Sequence, residues 1–308
     1  MYPSKRIDFF IIRKCLNRCV FCSEHLKLDG SELTLTQAKK VLRQEREKGA
    51  ELVHLVGGEP TIHSKFFAIM KFAKSLGYNI FIVTNVIMFS SKKFCEKSLP
   101  YLDEIMCSVH GHNAKIHNAN TRNPKAFKKV LEGLENIVDG FTGRLEATTT
   151  ITKLNYRYLT EIAKFINKFH IKEYQCMSIV PTGEGEQFFF KIAVSLTDLK
   201  PELRRVIKYC DNKKIKIRFV GIPMCILGDK YEYSHDLWEP FKINNEETWN
   251  DEIELWKKPG DERQDFKIDL GRIKTAKCKK CAKRHICGGI CKKYYRKYGD
   301  FELKSFKK

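Results

Sequence analysis

Between residues 6 and 180, short apolar runs alternate with amphipathic stretches of ten to fifteen residues, and this alternation constrains the fold more than any other feature. The apolar runs lie at 7–12, 51–56, 79–84, 104–110, 144–151 and 173–180. Strand, helix, strand repeated five times implies crossover connections and a parallel sheet, because each helix must return the chain to the same edge of the next strand. Six parallel strands fit either an open doubly wound sheet or a partial barrel. Helix punctuation agrees: Thr34 or Thr36 can cap the first helix, and Gly49 and Gly77 can end the first and second. A later helix near 198–213 leads to one further strand at 215–221. From Gly228 to Gly271 the alternation stops, and Trp238, Trp249 and Trp256 sit in a polar stretch that reads as irregular structure.

No window approaches the roughly 20 apolar residues that span a bilayer, and the start of the sequence lacks an export signal. The expectation is a soluble, cytoplasmic chain with no membrane association. Twelve cysteines in such a chain argue against a disulfide framework, since the cytosol keeps thiols reduced. Cys95, Cys107, Cys176 and Cys210 are scattered through apolar or helical contexts and read as small buried hydrophobes. The other eight cluster. The formal charge is +20, of which residues 272–308 supply +12 through 14 Lys or Arg against 2 acids. This basic tail suits RNA, an acidic peptide, or simply a lysine-rich solvated surface.

The first cysteine group, KCLNRCVFCSEH at 14–25, spaces Cys15, Cys19 and Cys22 as C-x3-C-x2-C directly after the first strand. A structural zinc site takes four ligands, which would require His25 as the fourth. A cubane iron-sulfur cluster is the alternative: three thiolates hold three irons and leave the fourth free for a ligand. CLNRCVFC, with Phe21 in the aromatic position, resembles the signature of the radical S-adenosylmethionine (radical SAM) superfamily. LVGGEPTIH at 55–63 resembles the GGE motif of that family, at the end of the second strand. Glycines allow close backbone approach, and a carboxylate suits an ammonium group. The resemblance implies that Gly57, Gly58 and Glu59 bind the methionyl amine of S-adenosylmethionine. It also places Asn85, Ser108 and Thr148 or Thr150 at strand ends, where barrel folds carry their sites, as cofactor contacts. Val180-Pro181-Thr182-Gly183 after the sixth strand resembles a further adenine contact. At residue 86 valine stands where the family often has glycine after Asn85.

The second group spaces Cys278, Cys281, Cys287 and Cys291 as C-x2-C-x5-C-x3-C. A zinc knuckle could use this spacing, but it also resembles the core of the SPASM and twitch extensions, which carry auxiliary 4Fe-4S clusters. Upstream, Cys210-x10-Gly221-x3-Cys225 is one residue short of the SPASM pattern, and no cysteine follows Cys291. The resemblance therefore implies one auxiliary cluster, held by Cys225 with three or four of Cys278, Cys281, Cys287 and Cys291.

The implied fold is α/β: a partial (β/α)6 TIM-like barrel over 1–185, a connecting helix over 186–214, and a small cysteine-rich domain over 215–308. The implied activity is reductive cleavage of S-adenosylmethionine to a 5′-deoxyadenosyl radical that abstracts hydrogen from a peptide or small metabolite. An external electron donor such as flavodoxin or ferredoxin is implied as a partner. RNA modification, motivated by the basic tail, and a zinc-dependent nucleic-acid-binding protein are the alternatives. Because the first strand begins near residue 6, a leader-peptide binder is expected to be a separate protein.

Overall fold

The structure, a computed structural model, describes residues 6–25, 28–237 and 271–307. Trp238, Trp249 and Trp256 lie outside the described residues. The first half of the chain runs β1 (Arg6–Ile12), α1 (Leu35–Glu47), β2 (Leu52–Gly57), α2 (Phe66–Ser75), β3 (Asn79–Thr84), α3 (Lys92–Ser98) and β4 (Glu104–Ser108). It continues through α4 (Ala114–Thr121), α5 (Ala126–Gly140), β5 (Arg144–Thr150), α6 (Leu159–Asn167) and β6 (Glu173–Met177). Two short helices, α7 (Gly183–Gln187) and α8 (Phe189–Ile192), precede α9 (Leu196–Asn212) and β7 (Lys216–Val220). Thr34 is the residue that caps α1: its hydroxyl accepts from the Gln37 N–H, and the Gln37 side chain closes back on the Thr34 N–H.

All seven strands pair in parallel, in sequence order from β1 to β7. The seventh strand, set by the sequence reading at the head of the cysteine-rich region, is hydrogen-bonded along β6, with Cys176 opposite Phe219. The sheet thus has one strand more than the six of the expected (β/α)6 unit. The ladder as described has no pairing between β1 and β7.

Strand alternation sorts the two faces. Ile7, Phe9, Ile11, Val53, Leu55, Ile80, Ile82 and Ile105 face the helices and form the main core. Cys95, Cys107, Cys176 and Cys210 are buried in that same core. The opposite face carries a small apolar cluster of Leu52, Phe81 and Met106, beside a charged network. There Arg144 reaches Glu104 at 3.1 Å, Glu146 at 2.6 Å and Glu173 at 2.5 Å, and Arg218 pairs with the fully buried Glu146. The parallel register makes this possible by setting Glu104 opposite Arg144 and Glu146 opposite Glu173.

After β7 come α10 (Met224–Leu227), the hairpin of β8 (Arg272–Ile273) and β9 (Ile290–Cys291), and α11 (Lys292–Tyr298). Buried Asp236 accepts from Arg272 at 2.7 Å and from the Gly288 N–H at 2.8 Å, fixing the cysteine-rich end to the turn that follows α10. Tyr294 on α11 accepts from the Leu196 N–H at 2.7 Å, which docks α11 on the start of α9. No described helix is long and apolar enough to cross a membrane.

Candidate functional site

The loop carrying Cys15, Cys19 and Cys22 leaves β1 at the C-terminal edge of the sheet and is braced from three sides. From the turn after β2, the Glu59 N–H donates to the Lys14 carbonyl at 2.8 Å and the Gly58 N–H to Ile12 at 2.9 Å. From the end of α4, the Thr121 and Asn120 carbonyls accept from Arg18 and Val20 at 3.0 and 2.9 Å. From the turn after β6, the Glu184 N–H donates to the Cys22 carbonyl at 2.9 Å.

These contacts explain the glycines. A Cβ on Gly58 would sit 2.1 Å from the Lys14 carbonyl oxygen, and one on Gly57 2.5 Å from that of Ile12. Gly57 also has a φ of 126°, which L side chains rarely adopt. The demand for glycine at 57–58 therefore comes from close packing of the cysteine loop, a reason separate from ligand approach. Gly183, at φ 57°, meets the Ser23 and Cys22 carbonyls in the same manner.

Glu59 is 1% exposed and organises the next turn. Its carboxylate accepts from the Thr61 hydroxyl at 2.6 Å, the Thr84 hydroxyl at 2.8 Å, the Asn85 N–H at 2.7 Å and the Thr61 N–H at 3.3 Å. Burial pushes the Glu59 carboxyl above its ordinary pKa, and these donors pull it back. Asn85 is thereby aimed so that its side-chain amide lies 3.7 Å from the Cys15 sulfur. Val86 follows in the left-handed region at φ 69°, the conformation a glycine would take without strain. The valine is fully buried against Gly133, where a Cβ would stand 2.6 Å from its methyl, so packing holds it there.

Phe21 packs edge-on to the buried His110 ring at 4.7 Å. His110 Nδ1 accepts from the Thr150 N–H at 3.3 Å, and His117 Nδ1 from the His110 N–H at 3.2 Å. Burial pushes His117 down to about 4 and His110 well below its ordinary value, so both rings are neutral. Ser108 ends β4, and Thr148 lies opposite it on β5. The Thr148 hydroxyl is buried and has no described hydrogen-bond partner.

Two residues at this site, Glu184 and Arg122, belong to no motif. Glu184, 6% exposed, pairs with His25 Nε2 at 3.2 Å and with Arg122 at 3.3 Å. Arg122 lies over the Phe188 ring at 4.7 Å and close enough to Cys19 to favour its thiolate. His25, weighed from the sequence as a fourth metal ligand, is thus engaged by Glu184. Separations of 62 residues between Arg122 and Glu184 and more than 150 between His25 and Glu184 leave no local sequence signal for this brace.

Burial pushes the Cys15 thiol up to about 12, and Cys19 and Cys22 also rise. Bare thiols here stay protonated, and thiolates need a metal group to hold them. The donor set fits such a group: Cys15 receives the Asn17 N–H at 3.4 Å, and Cys22 receives the N–H groups of Glu24 and His25.

The second cysteine group closes around a cavity lined by Cys225, Cys278, Cys281 and Cys287. Burial raises Cys225 to about 11, helped by the three neighbouring thiols. Cys287 receives the Gly289 N–H at 3.4 Å. Cys291 lies on β9, opposite Arg272, and is not among the residues lining that cavity. Among the described residues, no three His, Cys, Asp or Glu groups converge tightly enough to hold a single metal ion. Sulfur atoms around a cubane stand farther apart than those around one ion, so four thiols lining a cavity fit the larger group.

The sequence pattern of the Radical SAM superfamily matches residues 9–166, just over half of the chain, and the chain belongs to that superfamily. The family's cofactors are a 4Fe-4S cluster and S-adenosylmethionine. Among curated proteins, the chain is 24% identical over 175 residues to an AdoMet-dependent heme synthase of Methanosarcina barkeri, covering 56% of this chain and 50% of the relative. It is 28% identical over 149 residues to a PqqA peptide cyclase of Bradyrhizobium diazoefficiens, covering 48% and 38%. The chain thus spans half or less of the length of these relatives. Among solved structures, Streptococcus suis SuiB bound to S-adenosylmethionine superposes with a TM-score of 0.62 at 18% identity, covering 98% of this chain and 76% of that one. SuiB has also been solved with its precursor peptide SuiA.

Proposed function

We propose that the chain is a radical SAM enzyme acting on a peptide or small-molecule substrate, with one open and one closed iron-sulfur site. The observation that carries this reading is a loop of three thiols, locked against the Gly57-Gly58-Glu59 turn, whose nearby His25 is taken up by Glu184, leaving no fourth ligand in that loop among the described residues. Cys15, Cys19 and Cys22 hold the first cluster, which when bound to S-adenosylmethionine and reduced supplies a 5′-deoxyadenosyl radical. The turn at Gly57, Gly58 and Glu59 receives the methionyl amine, with Glu59 fixing the shape of the turn and the aim of Asn85. Ser108 and Thr148 or Thr150 would contact the ribose, and Phe21 packs against His110 beside the cysteine loop. Neutral His110 holds the Thr150 backbone without bringing a charge to the site.

The second site is assigned to Cys225, Cys278, Cys281 and Cys287, a closed set of four, with Cys291 outside it. In this reading the core is residues 1–185 completed by α9 and β7, and residues 271–308 with Cys225 form the auxiliary-cluster domain. Peptide substrates are supported by the SuiB–SuiA complex and by the PqqA peptide cyclase, and small molecules by the heme synthase. Nothing in these relatives supports the zinc or RNA readings.

The test is anaerobic reconstitution, reduction with dithionite and measurement of 5′-deoxyadenosine. Wild type is expected to form it, and a Cys15→Ala, Cys19→Ala, Cys22→Ala variant to form none; formation by the variant would contradict the assignment.

A further inference from the structure

We propose that the face around Cys225, Cys278, Cys281 and Cys287 is a docking surface for a small acidic one-electron carrier protein. This rests on the reading of those four thiols as an auxiliary-cluster site. The electron balance is simple: the carrier's reduced centre loses one electron, the cluster gains it, and no proton or leaving group moves.

The charge around the cavity is one-sided. Lys274, Lys277, Lys283 and Arg284 line it together with the thiols, and among the described residues no carboxylate does. Lys279 and Lys280 stand exposed between Cys278 and Cys281. Residues 274–307 carry 12 Lys or Arg against 2 acids. One of those acids, Asp300, lies 3.9 Å from Lys277, and the other, Glu302, is engaged by Thr197 and Tyr294. No ion pair to a described carboxylate is formed by Lys279, Lys280 or Arg284. Like charges held this close repel one another, and an acidic partner relieves that repulsion while its approach is steered by the field.

An apolar contact lies within the basic ring. Ile286, beside Cys287, is 41% exposed between Arg284 and the thiol. A small apolar centre inside a charged rim suits a weak, transient redox encounter, which needs only a small interface. The four thiols are themselves only partly buried, so a carrier seated here comes near the electron's entry point. RNA would also be drawn to the charge, but the cations gather around the thiol-lined cavity, and this placement favours the redox partner.

The test is binding of an oxidised flavodoxin, and separately of a plant-type ferredoxin, to the reconstituted full chain. At least one carrier is expected to bind with a Kd that rises about tenfold between roughly 50 and 300 mM salt, as screening predicts. The Lys279→Glu, Lys280→Glu variant is expected to bind it about tenfold more weakly at low salt. Wild-type iron content in that variant shows that it is folded and loaded. Dithionite-driven 5′-deoxyadenosine formation needs no docking and reports separately on the proposed chemistry. The docking proposal is overturned if wild type binds neither carrier, if binding ignores salt, or if the variant binds as wild type does. It is equally overturned if the variant loses tRNA binding while carrier binding is unchanged.

Discussion

Replacing Glu59 with glutamine tests whether this carboxylate organises the site. Glu59 accepts from four donors, and two of them are backbone N–H groups at Thr61 and Asn85 that cannot rotate. Glutamine keeps the shape but turns one oxygen into an NH2. If the amide oxygen faces Asn85, the Thr61 N–H is left against a donor; if the amide flips, the Asn85 N–H is. Either way one buried N–H is orphaned, at a cost of about 1–3 kcal/mol, with the loss of charge-assisted bonds to Thr61 and Thr84 in addition. A loss of about 2 kcal/mol in a chain this size lowers Tm by roughly 3 °C. The damage should stay local, because the three cysteines are also braced from α4 and from the turn after β6. Glu59→Gln is therefore expected to keep its iron while the KM for S-adenosylmethionine rises about tenfold, equivalent to ~1.4 kcal/mol. The assay is anaerobic 5′-deoxyadenosine formation against S-adenosylmethionine concentration, beside an iron determination. A variant with unchanged KM and Tm would refute the organising role, and one that loses its iron would show that Glu59 supports the cysteine loop instead.

Other outcomes follow from the same geometry. Cys225→Ser is expected to lose the auxiliary cluster, about four irons, whereas Cys291→Ser keeps it; the reverse pattern in an iron assay would replace the proposed ligand set. Arg218→Met removes one of the two guanidinium partners of buried Glu146, leaving Arg144 at 2.6 Å, and is expected to cost about 1–3 kcal/mol in urea unfolding through the charge-assisted hydrogen bond lost. His117 is held neutral, with its pKa lowered from 6.5 to about 4, so the unfolded chain binds more protons below neutrality and stability falls as pH falls. Between roughly pH 7.5 and 5.5 this one group removes about 1.4 kcal/mol, a loss that His117→Gln should abolish in urea unfolding at the two pH values.

The strand-helix alternation was readable because a sheet packed on one face by helices must repeat apolar runs, and Ile7, Phe9 and Ile11 do so against Val53 and Leu55. The cysteine groups were readable as spacings, because cluster ligands come from short loops. What spacing could not give was the choice among Cys225 and the four later cysteines, since 53 residues separate Cys225 from Cys278. Only the fold brings Cys225, Cys278, Cys281 and Cys287 onto one cavity, leaving Cys291 on β9. The brace of His25, Glu184 and Arg122 was illegible for the same reason, because charged residues on three loops look like ordinary surface until the loops meet. The glycines at 57 and 58 were noticed for ligand approach, yet their tightest contacts are with Ile12 and Lys14. Val86 read as a departure from an Asn-Gly turn, but burial holds valine in glycine's conformation.

The central claim is that one cluster site is open to S-adenosylmethionine and the other is closed. Anaerobic iron determination combined with electron paramagnetic resonance of the reduced protein, with and without S-adenosylmethionine, tests it most directly. The account predicts about eight irons per chain and two reduced-cluster signals, of which S-adenosylmethionine changes one. The Cys15→Ala, Cys19→Ala, Cys22→Ala variant should keep about four irons and a single signal that S-adenosylmethionine leaves unchanged. A signal in that variant that still responds to S-adenosylmethionine would contradict the account.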